Sequence, residues 1–224
     1  AARRPRQRAL LERLLRIVAA SVSGHGREWQ AQALANVAWG AAIGGGGGGA
    51  VADLLAAVAV EAPRKLASFN AQALANTVWA YATAGFEAPA LFEAVADASR
   101  KNVDQFNAQG LSNTVWAYAT AGFEAPELFD AVAAEAAPRV GLFTPQALAN
   151  TVWAFARAGV YAPYLFEAVA AESMNKRHLA NSQTLANTVW AFSNAGVEAP
   201  ALFEAFAAES IEKMAAFNAQ ELAN

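Results

Sequence analysis

Residues 69–95 read FNAQALANTVWAYATAGFEAPALFEAV, and residues 106–132, 143–169 and 180–206 repeat the pattern without a gap as FNAQGLSNTVWAYATAGFEAPELFDAV, FTPQALANTVWAFARAGVYAPYLFEAV and ANSQTLANTVWAFSNAGVEAPALFEAF. Trp79, Trp116, Trp153 and Trp190 are therefore each 37 residues apart, as are Gln72, Gln109, Gln146, Gln183 and Gln220. An earlier copy, WQAQALANVAWGAAIGGGGGGAVADLLAAV at 29–58, lies 40 residues upstream with three extra residues at its glycine tract, and FNAQELAN at 217–224 begins a further one. Self-similarity at a fixed period of this length marks a stacked repeat array, in which no unit buries its apolar face alone.

Each copy spells two helices. Asn70, Asn107, Thr144 and Asn181 stand where an N-cap accepts from an orphan backbone N–H, and Pro145 takes the first helical position, where no donor is missed. Phe69, Phe106, Phe143 and Phe217 precede the caps, and Leu74, Leu111, Leu148 and Leu222 follow at the staple position; Ala180 interrupts that series. Gly85, Gly122, Gly159 and Gly196 supply the left-handed residue after the helix, followed by the apolar Phe86, Phe123, Val160 and Val197. The first helix thus runs about 14 residues. The second starts at Pro89, Pro126, Pro163 or Pro200 and carries pairs such as Leu91 and Phe92 on one stripe. Leu54/Leu55 and Leu14/Leu15 fit the same frame, so Arg13 to Val22 reads as the second helix of a preceding unit. The fold class expected is all-α, an α-solenoid of tandem antiparallel helix pairs with roughly eleven helices and a cut-off twelfth. Its parts are an arginine-rich flank or leader at 1–11 and a half repeat at 12–28. Repeats follow at 29–68, 69–105, 106–142, 143–179 and 180–216, and a further one starts at 217–224.

Composition narrows the chemistry. The 224 residues are 56% hydrophobic, with a net charge of −3, which is too apolar for a disordered chain. No Cys is present, so a disulfide scaffold, a cysteine nucleophile and a thiolate metal site are excluded. His25 and His178 are the only histidines and fall in unrelated contexts, which leaves a Ser-His-Asp triad or a histidine metal site almost nothing to work with. Charges interrupt every apolar run before it could span a membrane. No enzyme activity, cofactor, metal or membrane partner is expected. Ala1 to Arg16 holds six Arg against Glu12 alone, which suits either an organelle leader or a helix of a preceding repeat, in a chain read as a fragment of a longer one. Gly44 to Gly49 lacks the preceding strand and the Gly-Lys-Ser/Thr ending of a phosphate cradle and reads as a flexible loop.

On a helical wheel Tyr81, Leu74, Val78, Ala82, Ala75 and Trp79 fill the apolar arc, and Gln72, Thr83, Asn76, Ala80, Ala73, Ala84 and Thr77 fill a polar, uncharged one. Asn36, Asn76, Asn113, Asn150 and Asn187 recur there in every unit; such amides suit base edges, or equally the backbone of a neighbouring repeat. Two series on this arc vary between units and are candidates for a base-reading code, with drift on a solvated surface as the alternative: Ala73, Gly110, Ala147, Thr184 and Glu221, and Thr83, Thr120, Arg157 and Asn194. The place of the tryptophans at the edge of the apolar arc assigns them to packing rather than base stacking.

From Arg27 onward 10 Lys and Arg face 18 Asp and Glu, a net charge of −8 that disfavours nucleic acid. Arg64, Lys101, Arg139, Lys176 and Lys213 nevertheless recur at spacings of 37 or 38 near the end of the second helix, with Lys65, Arg100 and Arg177 beside them, while Glu87, Glu124 and Glu198 mark the opposite end. Helix-dipole complementarity explains such a line, and so does a phosphate track.

The cores QALANTVWAYATAG, QGLSNTVWAYATAG, QALANTVWAFARAG and QTLANTVWAFSNAG, each followed by Pro, Leu-Phe and a second helix, resemble the octotricopeptide repeats of algal organelle proteins, which are similar in turn to the repeat region of the FAST-kinase-domain organelle proteins. The resemblance implies single-stranded RNA binding in chloroplasts or mitochondria, governing processing, stability, splicing or translation of organelle transcripts, with protein partners in a ribonucleoprotein complex. Against that pattern the array is acidic and alanine-rich, so a protein-interaction scaffold using the same groove is the alternative. A third reading is an RNA-processing enzyme whose catalytic domain lies outside these residues.

Overall fold

The four repeats with complete caps show why these segments are helices and why they stop. In the computed structural model, which describes residues 3–44 and 48–213, the side chains of Asn70, Asn107, Thr144 and Asn181 accept from Ala73, Gly110, Ala147 and Thr184 N–H at 2.8, 2.7, 3.2 and 2.8 Å. At the other end Gly85, Gly122, Gly159 and Gly196 take φ of 61, 68, 67 and 65°, a conformation that costs a side-chain-bearing residue about 1–2 kcal/mol. The reversed chain then donates from Phe86, Phe123, Val160 and Val197 N–H to Tyr81, Tyr118, Phe155 and Phe192 O, each at 3.0 Å. Phe86 and Phe123 also meet the rings of Tyr81 and Tyr118 edge-on, the apolar contact that accompanies this helix ending.

The first helices are α2 (Ala31–Ile43), α4 (Ala71–Ala84), α6 (Ala108–Ala121), α8 (Pro145–Ala158) and α10 (Ser182–Asn194). The second helices are α3 (Gly49–Glu61), α5 (Pro89–Lys101), α7 (Pro126–Ala136), α9 (Pro163–Lys176) and α11 (Pro200–Lys213), four of them opening on the expected proline. With α1 (Arg3–His25) these make eleven α-helices among the described residues, and no strand. Helix α1 begins well before Arg13, so much of the arginine-rich flank is helical. The sequence pattern gave no sign of the short 3-10 turns that follow the second helices, such as Ala62–Ser68 and Ala137–Leu142. The glycine-loop residues 45–47 and the start of a further repeat, with Phe217, Gln220, Glu221 and Leu222, lie outside the described residues.

The chain divides into two compact units, Ala1–Gln105 and Phe106–Asn224. In the first, α1 packs on α3 and α2 on α4; in the second, α6 packs on α8 and α8 on α10. Each first helix also packs on its own second helix, so the helices associate in neighbouring pairs. Leu74, Val78, Leu91, Phe92 and Val95 form the repeating core, with the staple residues Phe69, Phe106 and Phe143 buried beside Leu74, Leu111 and Leu148. One core position shows two solutions to the same contact. Tyr81 Oη donates to Leu55 O at 2.6 Å, whereas Phe155 and Phe192 pack edge-on against Phe129 and Phe166, the equivalents of Leu55, with centroids 5.0 and 5.1 Å apart.

Candidate functional site

Burial on the first helices departs from the wheel in a definite way. Ala73, Thr77 and Ala80 are almost fully buried, as are Ala147, Thr151 and Ala154. These small residues sit where one first helix meets the next, and the approach is close enough for Ser112 Oγ to donate to Ala147 O at 3.0 Å across the pair. Thr77, Thr114, Thr151 and Thr188 satisfy their hydroxyls within their own helix, on Ala73, Gly110, Ala147 and Thr184 O. Three of the seven positions on the expected polar face of α4 are therefore helix–helix contact. Of the first variable series, Ala73, Ala147 and Thr184 are buried, Gly110 is half-buried without a side chain to offer, and Glu221 lies outside the described residues.

What remains accessible is a single line. Gln72, Asn76, Trp79 and Thr83 fall within about 60° of one another at 100° per residue, and all are exposed or half-buried. The same holds for Gln109, Asn113, Trp116 and Thr120, for Gln146, Asn150, Trp153 and Arg157, and for Gln183, Asn187, Trp190 and Asn194. In α2 the line is Gln32, Asn36, Trp39 and Ile43, with Trp39 43% exposed. The tryptophans thus lie on this line, Trp39 exposed and Trp79, Trp116, Trp153 and Trp190 half-buried. Trp153 and Trp190 lie with ring centroids 6.3 Å apart and planes inclined by 37°, a continuous aromatic strip across two repeats.

The asparagine ladder is held less tightly than buried amides require. Asn36 accepts from Gln32 Nε2 at 3.0 Å, and among the described residues no bond ties Asn76, Asn113, Asn150 or Asn187 to a neighbouring repeat's backbone. Gln109, Asn113, Gln146 and Asn150 line a groove of about 520 Å3 between α6 and α8, with Arg139 and Leu142 at its side. The second variable series reaches toward the preceding helix end. Arg157 Nε donates to Ala119 O at 3.1 Å, and its guanidinium carbon stands 5.4 Å from the Trp153 ring centre; Asn194 Nδ2 donates to Ala156 O at 3.0 Å. Thr83 is exposed, and the Thr120 hydroxyl is buried without a hydrogen-bond partner.

Three members of the basic line bond carbonyls of the protein itself. Lys176 Nζ donates to Gly141 O and Phe143 O, both at 2.8 Å, and pairs with Glu172 at 2.8 Å. Lys213 Nζ reaches His178 O at 3.1 Å and Ala180 O at 2.7 Å and pairs with Glu209 at 2.8 Å. Arg139 donates to Phe106 O at 2.7 Å and pairs with Glu135 at 2.6 Å. All three clamp the turn that leads into the first helix of their own repeat. In the first unit Lys65 makes this bond, to Arg27 O at 2.9 Å, while Arg64 pairs with Glu61. The true frame is Lys65, Asn102, Arg139, Lys176 and Lys213, each 37 apart; at Asn102 the cation is missing, and so is the acid four residues before it, where Ala98 stands. Lys101 lies out of this frame and is exposed. The lysine clamp also acts on its acid, since the bond from Lys176 holds the Glu172 carboxyl below its ordinary value.

Among the described residues no group of three or more His, Asp or Glu is placed to hold a metal, and no helix is long and apolar enough to cross a membrane. No family model matches the chain, and a search of curated proteins gives no match.

Proposed function

We propose that the array is an α-solenoid with a 37-residue period that binds single-stranded RNA along the accessible line of its first helices, without catalysis of its own. One observation carries this reading: each described repeat carries the same neutral set, Gln, Asn and Trp, exposed or half-buried along one line of its first helix. Indoles offer stacking surface to any base, and primary amides offer the paired donor and acceptor that base edges require. The resemblance of the repeat core to octotricopeptide repeats supports the same reading and extends it to organelle transcripts, in a chloroplast or mitochondrion, with processing, stability or translation as the outcome.

Affinity then comes from stacking more than from phosphates, because Arg139, Lys176 and Lys213 are occupied internally. The test is binding of a labelled single-stranded RNA pool to the chain and to a Trp153→Leu, Trp190→Leu double variant. Stacking worth about 1–3 kcal/mol per base predicts a loss of at least fivefold for each ring removed. Unchanged binding in the double variant, or no binding by the native chain, overturns the reading. The second reading, a scaffold for an extended protein segment, is favoured by the net charge of −8 from Arg27 onward, and a cationic peptide that binds where RNA does not would establish it.

A further inference from the structure

At the opposite end of the α6–α8 pair from the amide groove, a recess of about 620 Å3 opens between the two helix endings. Tyr118, Phe123, Phe129 and Val160 supply aromatic and aliphatic lining, and the two charged side chains of the recess are Arg157 and Glu124. Its volume falls in the range of small-molecule sites, ample for one heterocycle. Arg157 is the variable member of the accessible line in this repeat, so the recess adjoins the strip that carries Trp153.

Arg157 is organised in advance. Its Nε is spent on Ala119 O, and its guanidinium stands by the Trp153 ring, which leaves the two Nη groups at the exposed end as a fork. Such a fork matches two adjacent acceptors, and the Glu124 carboxylate matches two adjacent donors. Among the four RNA bases, guanine alone presents both: N7 and O6 on one edge, N1–H and the N2 amino group on the other. Adenine offers an acceptor and a donor where the fork needs two acceptors, cytosine offers O2 and N3 to the fork but no pair of adjacent donors to the carboxylate, and in uracil a donor separates the two carbonyls. The combination occurs once in this unit. The equivalents of Glu124 and Arg157 one repeat on are Tyr161 and Asn194, which hold neither charge.

We infer that the recess bounded by Phe123, Glu124, Arg157 and Val160 is a guanine site, with the Arg157 fork on the N7/O6 edge and the Glu124 carboxylate on the N1/N2 edge. The inference deepens the RNA reading and rests on it for the source of the base, which is a guanine of the bound strand. It also assigns selectivity in this repeat: Arg157 acts together with the turn of the preceding repeat, and the buried Ala147 plays no part.

The experiment compares a uridine oligonucleotide, the same oligonucleotide carrying one guanosine, one carrying adenosine and one carrying 7-deazaguanosine, together with free GMP and AMP. Each is titrated against the native chain, Arg157→Lys, Arg157→Thr and Glu124→Gln. Thr is the residue at the equivalent positions 83 and 120, so the substitution suits the fold. The native chain should favour the guanosine strand over the adenosine strand by tenfold or more. Arg157→Lys should lose that preference, since an ammonium lacks the fork. Glu124→Gln and 7-deazaguanosine should each remove part of the preference. RNA binding with no preference for guanosine refutes the guanine site and leaves the RNA reading standing. Selective binding of GMP without any binding of RNA keeps the guanine site as one for a free nucleotide and refutes the RNA reading. Absence of both refutes both.

Discussion

Removing the Lys176 ammonium tests the structural meaning of the basic line. Lys176→Met keeps most of the aliphatic stem, which covers apolar surface, and deletes the charge alone. The side chain is 22% exposed and donates two bonds of 2.8 Å to Gly141 O and Phe143 O. Hydrogen bonds to a charged group contribute about 1.5–3 kcal/mol each in favourable settings. Partial exposure lowers the sum for this pair to about 2 kcal/mol, with less than ~1 kcal/mol more from the Glu172 pairing. The loss should register in urea unfolding followed by circular dichroism, and as faster hydrogen exchange at the first amides of α8, because the clamp holds the turn that enters that helix. Lys101→Met is the control, since Lys101 is exposed and out of the clamp frame; a change within about 0.5 kcal/mol is expected there. If Lys176→Met is no more destabilising than Lys101→Met, the clamp reading is wrong. If instead it lowers RNA affinity and flattens the salt dependence by about 0.7 in slope, as loss of one phosphate contact would, Lys176 serves a phosphate track after all.

Three further outcomes follow from other parts of the structure. Glu172 has its folded-state value lowered by Lys176, so its contribution is present above the ordinary carboxylate range and is lost as pH falls through that lowered value; the acid limb of a pH–stability curve should be shallower in Lys176→Met than in the native chain. Burial raises the Tyr81 phenol well above its ordinary value, so its contribution is complete below about pH 10 and declines above it, where the unfolded phenol ionises. Tyr81→Phe should cost about 1 kcal/mol at neutral pH by losing the bond to Leu55 O, and should remove part of the alkaline decline seen in a pH series of thermal melts. Gly110→Ala should stabilise by about 0.5–1 kcal/mol in urea unfolding, because Gly lies in the first turn of α6 where Ala73 and Ala147 stand in α4 and α8. A Cβ there meets Asn107 Oδ1 and Phe106 Cδ1 at 3.2 Å, and destabilisation would show that this neighbourhood cannot give way.

The caps and stops of the repeat helices were legible in the chain because their determinants are local. An N-cap, an N1 proline and a left-handed glycine each act within a few residues, so the four complete repeats declared their helix starts and stops before any packing was known. Repetition strengthened this reading, since four independent copies agreed. Which face of the first helix stays accessible was decided by tertiary structure. A wheel treats a helix as having one buried side, whereas α8 is covered by α9 and also by α6 and α10. Short side chains such as Ala147 and Thr151 then become contact surface, because only small residues let adjacent backbones approach, and a bulky indole is left at the margin. The basic line shows the same division. Its period is plain in the sequence, but a cation at a helix end is electrostatically suited to a phosphate or to a carbonyl of the protein itself. Only the fold shows that Phe106, Phe143 and Ala180 O come within reach of Arg139, Lys176 and Lys213 and accept their bonds.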